Sequence, residues 1–488
     1  MFGRWSFAAL LVLAAVQLPS APTQSAWILP EATTTYTATA TGRAIDPDGA
    51  TLTLSKGAAS ASAGSAAEPR FGVVSATVPA ESLRGHRVTL RGELKTHDAG
   101  AASLWMRVDK ASAMLMLDNG QDRALKGDTE WTPFAVTLPV LSSASSVVIG
   151  VMLQGAGSVI ARSVRFETGA RLQADGPIAP DAKAVLDAAI DIVRKHAWMS
   201  GNVDWTIVEP EVRLVAAGAG KSADVYPAIK YLLAALGDRH SFLMPPAATT
   251  AFRTGGAANP PIEVSSIADR IGYVKVPAYS GAEADAARNF ATKAHEQLTA
   301  TAAQAECGWI VDLRDNGGGN MWPMLAGLKP FLGDQPLGTF VGRDSTSPPW
   351  KAGDSVAVTP PVSLRGLEQA WVAVLTGPRT ASSGEAVAIS FKGRPRTRSF
   401  GQPTAGLSSA NETFPLPDGA MILLTVSIEA DRTGKQYGEK VDPDEVIPAT
   451  PGNVAPLSRT DDATIAAAKS WLMRSCRIAA AVPASPQV

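Results

Sequence analysis

Cysteine is nearly missing from the 488 residues: Cys307 and Cys476 are the only two. That is too few for a disulfide-dense scaffold, and no CxxC pair offers a structural zinc cage. Histidine is scarce as well. Its five scattered copies include no HExxH spacing, which argues against a zinc peptidase. Neither sign of charge dominates, since 44 Lys and Arg face 45 Asp and Glu for a formal charge of −1. A nucleic-acid binder draws its affinity from clustered cations, so this balance argues against that class. GxGxxG, GxxxxGKS and GxSxG spacings are absent too, which makes a nucleotide site or a hydrolase elbow of that type improbable. What the chain does have is 45% hydrophobic residues, ample for packed cores, and a length that fits about two to four domains.

The amino terminus reads as an export signal over residues 1–26. Arg4 supplies a positive start, Phe7 to Leu18 form a short apolar run, and small residues around Ala21 to Ala26 offer a cleavage site. The run is too short to span a bilayer, which needs about 20 residues, and no later stretch is long enough. The expected location is therefore periplasmic or extracellular, an oxidising compartment in which Cys307 and Cys476 could bridge. Sequence alone does not show that their Cα atoms come within bridging reach.

Residues 27–168 carry short strand patterns at 50–55, 87–94, 103–108, 134–138, 146–153 and 159–166, punctuated by Gly, Asn and Asp. This rhythm predicts an antiparallel β-sandwich. In its strand rhythm and Trp131 region the segment is similar to jelly-roll modules related to galactose-binding domains. A glycan partner and a plain packing role are both open. The Gly-, Ala- and Pro-rich stretch 169–181 reads as a linker. Helical patterns at 182–198 and 223–236 fall in a helical part spanning 182–260. From 261 to 478 strands (271–276, 308–313, 371–376) alternate with helices such as 282–299, predicting an α/β core, and 479–488 is a tail.

Three segments could carry chemistry. In 371–391 a hydrophobic strand runs through Gly377-Pro378 into Ala381-Ser382-Ser383-Gly384-Glu385, which opens an apolar helix. A serine there would sit where helix amides point outward, useful to a developing oxyanion. The same Ser382-x-x-Glu385 spacing is also a capping box. In 307–328 a buried strand ends at Asp312-Leu313-Arg314, and Gly317-Gly318-Gly319 lets the backbone turn tightly and present amides, or simply turn. In 236–246, His240 lies in a run that packs an acid, a base and a hydroxyl into Asp238 to Ser241. A lone histidine is as readily structural.

Together the three segments resemble the tail-specific and tricorn-core serine peptidase family, whose relatives include non-catalytic retinoid-binding repeats. Asp312 to Gly319 resembles its DLRxNxGG element, Thr380 to Glu385 its nucleophile segment, Gly401-Gln402-Pro403-Thr404-Ala405-Gly406 its G-x-P-T-x-G turn, and Leu236 to Ser241 its LxDxHS element. The resemblance spans 182–448. It implies a core of the ClpP/crotonase-like type, a peptide or protein substrate, no cofactor and no metal. It further implies Ser382 as nucleophile, with the amides of Gly318 and Ser383 as oxyanion hole. The lysine that the processing branch carries after the G-x-P-T-x-G turn is replaced by Leu407. The tricorn branch uses a histidine and a distal carboxylate instead, so the expected relay is Ser382, His240 and Glu439, with Tyr437 competing for the aligned position of the last. A PDZ module needs about 80–100 residues, and only about 30 separate Ser241 from Ile271, so it is expected to be missing. The alternative reading is a non-catalytic ligand-binding protein on a peptidase-like scaffold.

Overall fold

The structure, a computed structural model, describes residues 26–29, 36–43, 49–56, 71–111, 113–173, 176–254, 259–267, 270–448 and 462–481. Nearly all of the expected export signal and most of the tail lie outside these residues. The chain divides into two compact units, the first built mainly from residues up to Ala170 and the second from Arg171 onward.

The first unit is one eight-stranded antiparallel sheet. The expected pair of stacked sheets is not what its hydrogen bonding draws. A single strand, His86–Lys110, pairs through its first half with Leu125–Val140 and through its second half with Ser146–Gln154. Register shifts between Leu94 and Ala102 let it change partner without breaking. Such bulges bend and twist a strand, so what the sequence pattern presents as two strands, 87–94 and 103–108, is one. Along Phe71–Pro79 buried and exposed residues alternate, the mark of a sheet with one covered face. The ring of Trp131 is covered by Arg162, whose guanidinium carbon lies 4.0 Å from the ring centre.

The second unit is α/β. Its six-stranded sheet runs in the order Glu263–Ile267, Ile271–Lys275, Trp309–Asp312, Val372–Thr376, Thr397–Gly401, Glu445–Val446. All neighbours from Ile271–Lys275 onward are parallel, and the first strand is antiparallel. Trp309–Asp312 and Val372–Thr376 are buried along their whole length, as central parallel strands must be when helices cover both faces. One face packs on Ala284–Ala302, Met321–Gly327 and Ser383–Ser390. Ala284–Ala302 does so because Ala287, Phe290, Ala291, Ala294 and Leu298 recur at helical spacing. The other face packs on Ala463–Ala481 through Ile465, Ala468 and Leu472. Cys307 and Cys476 are joined by a disulfide, with Cα atoms 5.0 Å apart.

A second, four-stranded sheet contains Gly338–Gly342, Met421–Asp431 and Ser409–Pro415 in that order, with the short strand Phe242–Met244 paired to Met421–Asp431. The interval where a PDZ module would stand holds this short strand, the helix Pro246–Thr254 and the edge strand Glu263–Ile267.

Candidate active site

Three loops at the carboxyl ends of parallel strands converge, the place where open α/β sheets bind ligands. Trp309–Asp312 leads into the glycine-rich loop, Val372–Thr376 into the Ser382 turn, and Thr397–Gly401 into the G-x-P-T-x-G turn.

The glycine-rich loop is fixed from behind. Arg314 forks onto Asp312 (Nε to Oδ1 3.0 Å, Nη2 to Oδ2 2.6 Å), Tyr273 Oη donates to Asp312 Oδ2 at 2.7 Å, and Arg314 Nη1 reaches Asp462. The two carboxylates hold the guanidinium's pKa above its ordinary value despite burial. Asn316, wholly buried, donates to Pro277 O at 3.2 Å, while its own carbonyl accepts from Ala381 N at 3.0 Å. Thr380 Oγ1 donates to Leu313 O at 2.9 Å. These bonds weld the loop to the serine turn. Gly318 sits so close to that turn, at φ 102°, that a Cβ on it would lie 2.8 Å from the Cβ of Ser382. Only glycine fits there.

Ser382 has φ 52° and ψ −125°, a conformation that costs a non-glycine residue about 1–3 kcal/mol and must be held by its surroundings. The holding group is Glu385. Its buried carboxylate accepts from Ser382 N (2.8 Å), Leu407 N (2.8 Å), Gly406 N (3.0 Å) and Thr404 Oγ1 (2.5 Å). The carboxylate half of the expected capping box is thus present, and it extends to tie the serine turn to the G-x-P-T-x-G turn. Burial raises the Glu385 pKa, and the four donors oppose that rise. Leu407, at the position of the missing lysine, contributes its backbone amide.

His240 follows the helix Tyr226–Ala234 and precedes Phe242–Met244. Asp238 Oδ1 accepts from the amides of His240 (3.0 Å) and Ser241 (2.9 Å), closing the turn, and Asn411 Nδ2 donates to His240 O at 2.9 Å. The ring is buried, with Nε2 2.9 Å from Ser382 Oγ across 142 residues of chain, and Nδ1 2.8 Å from Ser409 Oγ. Burial lowers the imidazole pKa, and the nearby Asp238 charge partly offsets this.

Ser382 and His240 are therefore brought together. Glu439 is not brought to the imidazole: it is exposed, its backbone carbonyl accepts from Ser408 Oγ, and Ser409 holds Nδ1 in its place. The physical reason is that Ser409, first residue of the strand Ser409–Pro415, itself reaches Nδ1, while the 438–439 backbone is tied to the adjacent Ser408 hydroxyl and the Glu439 side chain is left exposed. Ser409 was missed because a serine in the pair Ser408-Ser409 has no pattern of its own. Ser383 lies at the first turn of the helix Ser383–Ser390, beside Gly318. Gly318 N donates to Asn316 Oδ1 at 3.0 Å, within its own loop.

A strand-turn-helix serine in contact with a histidine, beside a glycine loop at the carboxyl edge of a parallel sheet, is the arrangement of a serine hydrolase core. Residues 270–447 match peptidase family S41. Over 138 residues the chain is 38% identical to the nisin-resistance protein of Lactococcus lactis subsp. lactis, covering 27% of this chain and 42% of that protein. Over 212 residues it is 25% identical to the carboxyl-terminal-processing protease of a Picosynechococcus species, covering 43% of this chain and 47% of the relative. It thus spans less than half the length of either. The solved structure of a lipoprotein from Streptococcus agalactiae shares the fold over 61% of this chain and 98% of that one, with a TM-score of 0.52 and 23% identity.

Proposed function

We propose that this protein is an exported serine peptidase that cleaves peptides or protein tails with Ser382 as nucleophile and His240 as general base. The observation that carries this reading is the 2.9 Å approach of His240 Nε2 to Ser382 Oγ. Serine at its free pKa is a poor nucleophile, so the base must take its proton as the oxygen attacks. The tautomer that does this has Nδ1–H donating to Ser409 Oγ, leaving the Nε2 lone pair for the Ser382 hydroxyl. Burial favours that neutral ring. Attack on the scissile carbonyl places negative charge on its oxygen, which the amides of Ser383 and Gly318 receive, the latter by leaving Asn316 Oδ1. His240 then delivers the proton to the departing amine, and water repeats the sequence on the acyl-enzyme. Glu439 takes no part in proton transfer, and Ser409 orients the imidazole. Export accords with the disulfide between Cys307 and Cys476 and with the leader pattern.

Hydrolysis of unfolded protein substrates or peptide libraries by the purified chain tests this. Ser382→Ala and His240→Ala should each lower kcat/KM by on the order of 10³-fold or more, because such groups act as a unit. Equal turnover in wild type and both variants would reject the mechanism.

A further inference from the structure

Arg239 stands in the left-handed region at φ 57°, where glycine is the unstrained choice, between the two residues that form the histidine turn. The backbone does not ask for an arginine there. Nor does its side chain have work inside the protein: the exposed guanidinium meets no carboxylate and no hydrogen-bond acceptor among the described residues. The nearest acid in sequence, Asp238, has its oxygens taken by His240 N, Ser241 N and Ser241 Oγ. Lys440 is likewise exposed and unpaired among the described residues. The Arg239 guanidinium and the stem of Lys440 both approach one glycine. A Cβ on Gly406 would lie 3.6 Å from Arg239 Nη2 and 3.2 Å from Lys440 Cγ. Gly406 and Ser382 both donate their amides to the same Glu385 carboxylate, so the Arg239 guanidinium and the Lys440 stem flank the candidate active site.

We propose that Arg239, with Lys440 beside it, is a specificity-determining residue that binds a carboxylate of the substrate next to the Ser382–His240 pair. This rests on the peptidase reading above. A planar guanidinium with no acceptor among the described residues matches a carboxylate bidentately, and the lysine adds a second positive charge nearby. An extended peptide advances about 3.3–3.6 Å per residue, so an anion held over Gly406 belongs to a residue only a few positions from the bond that is cut. The carboxylate is supplied either by the substrate's own carboxyl terminus or by an Asp or Glu side chain close to the cleavage point. Gly406 keeps the approach open, since any side chain there would press on the Arg239 guanidinium and the Lys440 stem.

The test uses the full chain and a set of peptides of one sequence: free carboxyl terminus, carboxyl-terminal amide, and the amide with a single Glu or Lys walked through the positions around the cut. The wild type should prefer one carboxylate-bearing form over the plain amide by about 10- to 100-fold in kcat/KM, the range for a charge-assisted pair. Which form wins identifies the source of the carboxylate. In Arg239→Gly, which keeps the left-handed backbone unstrained, that ratio should fall towards one; in Arg239→Glu it should invert in favour of the Lys peptide. Equal cleavage of acid and amide peptides by the wild type, or a preference that survives Arg239→Gly, overturns the proposal while Ser382-dependent turnover still upholds the peptidase reading. A wild type that cuts none of the peptides, or cuts them as well after Ser382→Ala, takes down both.

Discussion

At the residue scale the proposed chemistry turns on a histidine held by a hydroxyl where a carboxylate was expected. With Ser409 on Nδ1 and burial dominating, His240 titrates below the ordinary histidine value of 6.5, so kcat/KM should rise with pH through a limb that lies lower than that value. Ser409→Asp would put a negative charge on the ring and move this limb upward, which a pH–rate profile reads directly. Ser409→Ala should cost up to about tenfold, the worth of one neutral hydrogen bond, far less than losing His240. A second buried acid lies close to the same machinery. Glu429 is almost wholly buried, and its Oε2 has no hydrogen-bond partner among the described residues; burial first, then the charge of Glu385, push its carboxyl well above the usual range. A raised folded pKa means a stability contribution complete below the unfolded value of about 4.5 and lost as pH climbs through the folded one, by about 1.4 kcal/mol per unit. Glu429→Gln, which mimics the protonated acid, should flatten that slope and be the more stable protein in alkaline urea titrations.

At the element scale the strand-turn-helix from Val372 to Ser390 works only because it packs against the glycine loop. Gly384, inside the helix, shows how tightly: a Cβ there would lie 2.4 Å from the carbonyl oxygen of Asn316. An Ala in a helix normally gains up to about 1 kcal/mol over Gly. Here Gly384→Ala should instead destabilise, by about 1–3 kcal/mol as overpacking does, and slow hydrolysis by prising the two loops apart; urea midpoints and kcat/KM check both. This element, the glycine loop and the histidine turn were legible in the sequence because each is short and local: a buried strand, a turn and a functional residue lie within ten or so positions. Ser409 was not, because its role depends on where a strand distant in sequence starts beside the His240 turn. The irregular register between Ala410 and Asn411 hides that start from any alternation pattern. The long strand His86–Lys110 reads as two for a related reason, since the polar run Lys95 to Asp98 breaks the apolar alternation where its register against Leu125–Val140 shifts, just before it changes partner at Ala101.

At the scale of the whole molecule, every group in the proposed reaction belongs to the unit that begins near Arg171, and that unit is closed on itself by the disulfide from the strand entry at Cys307 to the carboxyl-terminal helix at Cys476. The bridge spans 169 residues, and by chain entropy a loop of that length is worth about 5 kcal/mol. Cys307→Ala with Cys476→Ala should lower the unfolding free energy towards that extent, and thiol reductant should shift the wild type alone. In the proposed mechanism Ser382 is a nucleophile because His240 touches it. That claim is tested most directly by the intact mass of the folded protein after treatment with a fluorophosphonate. One adduct, mapped to Ser382, lost on denaturation and lost in His240→Ala, is the expected result; a folded wild type that stays unlabelled at Ser382, or labels at the same rate without His240, would contradict it.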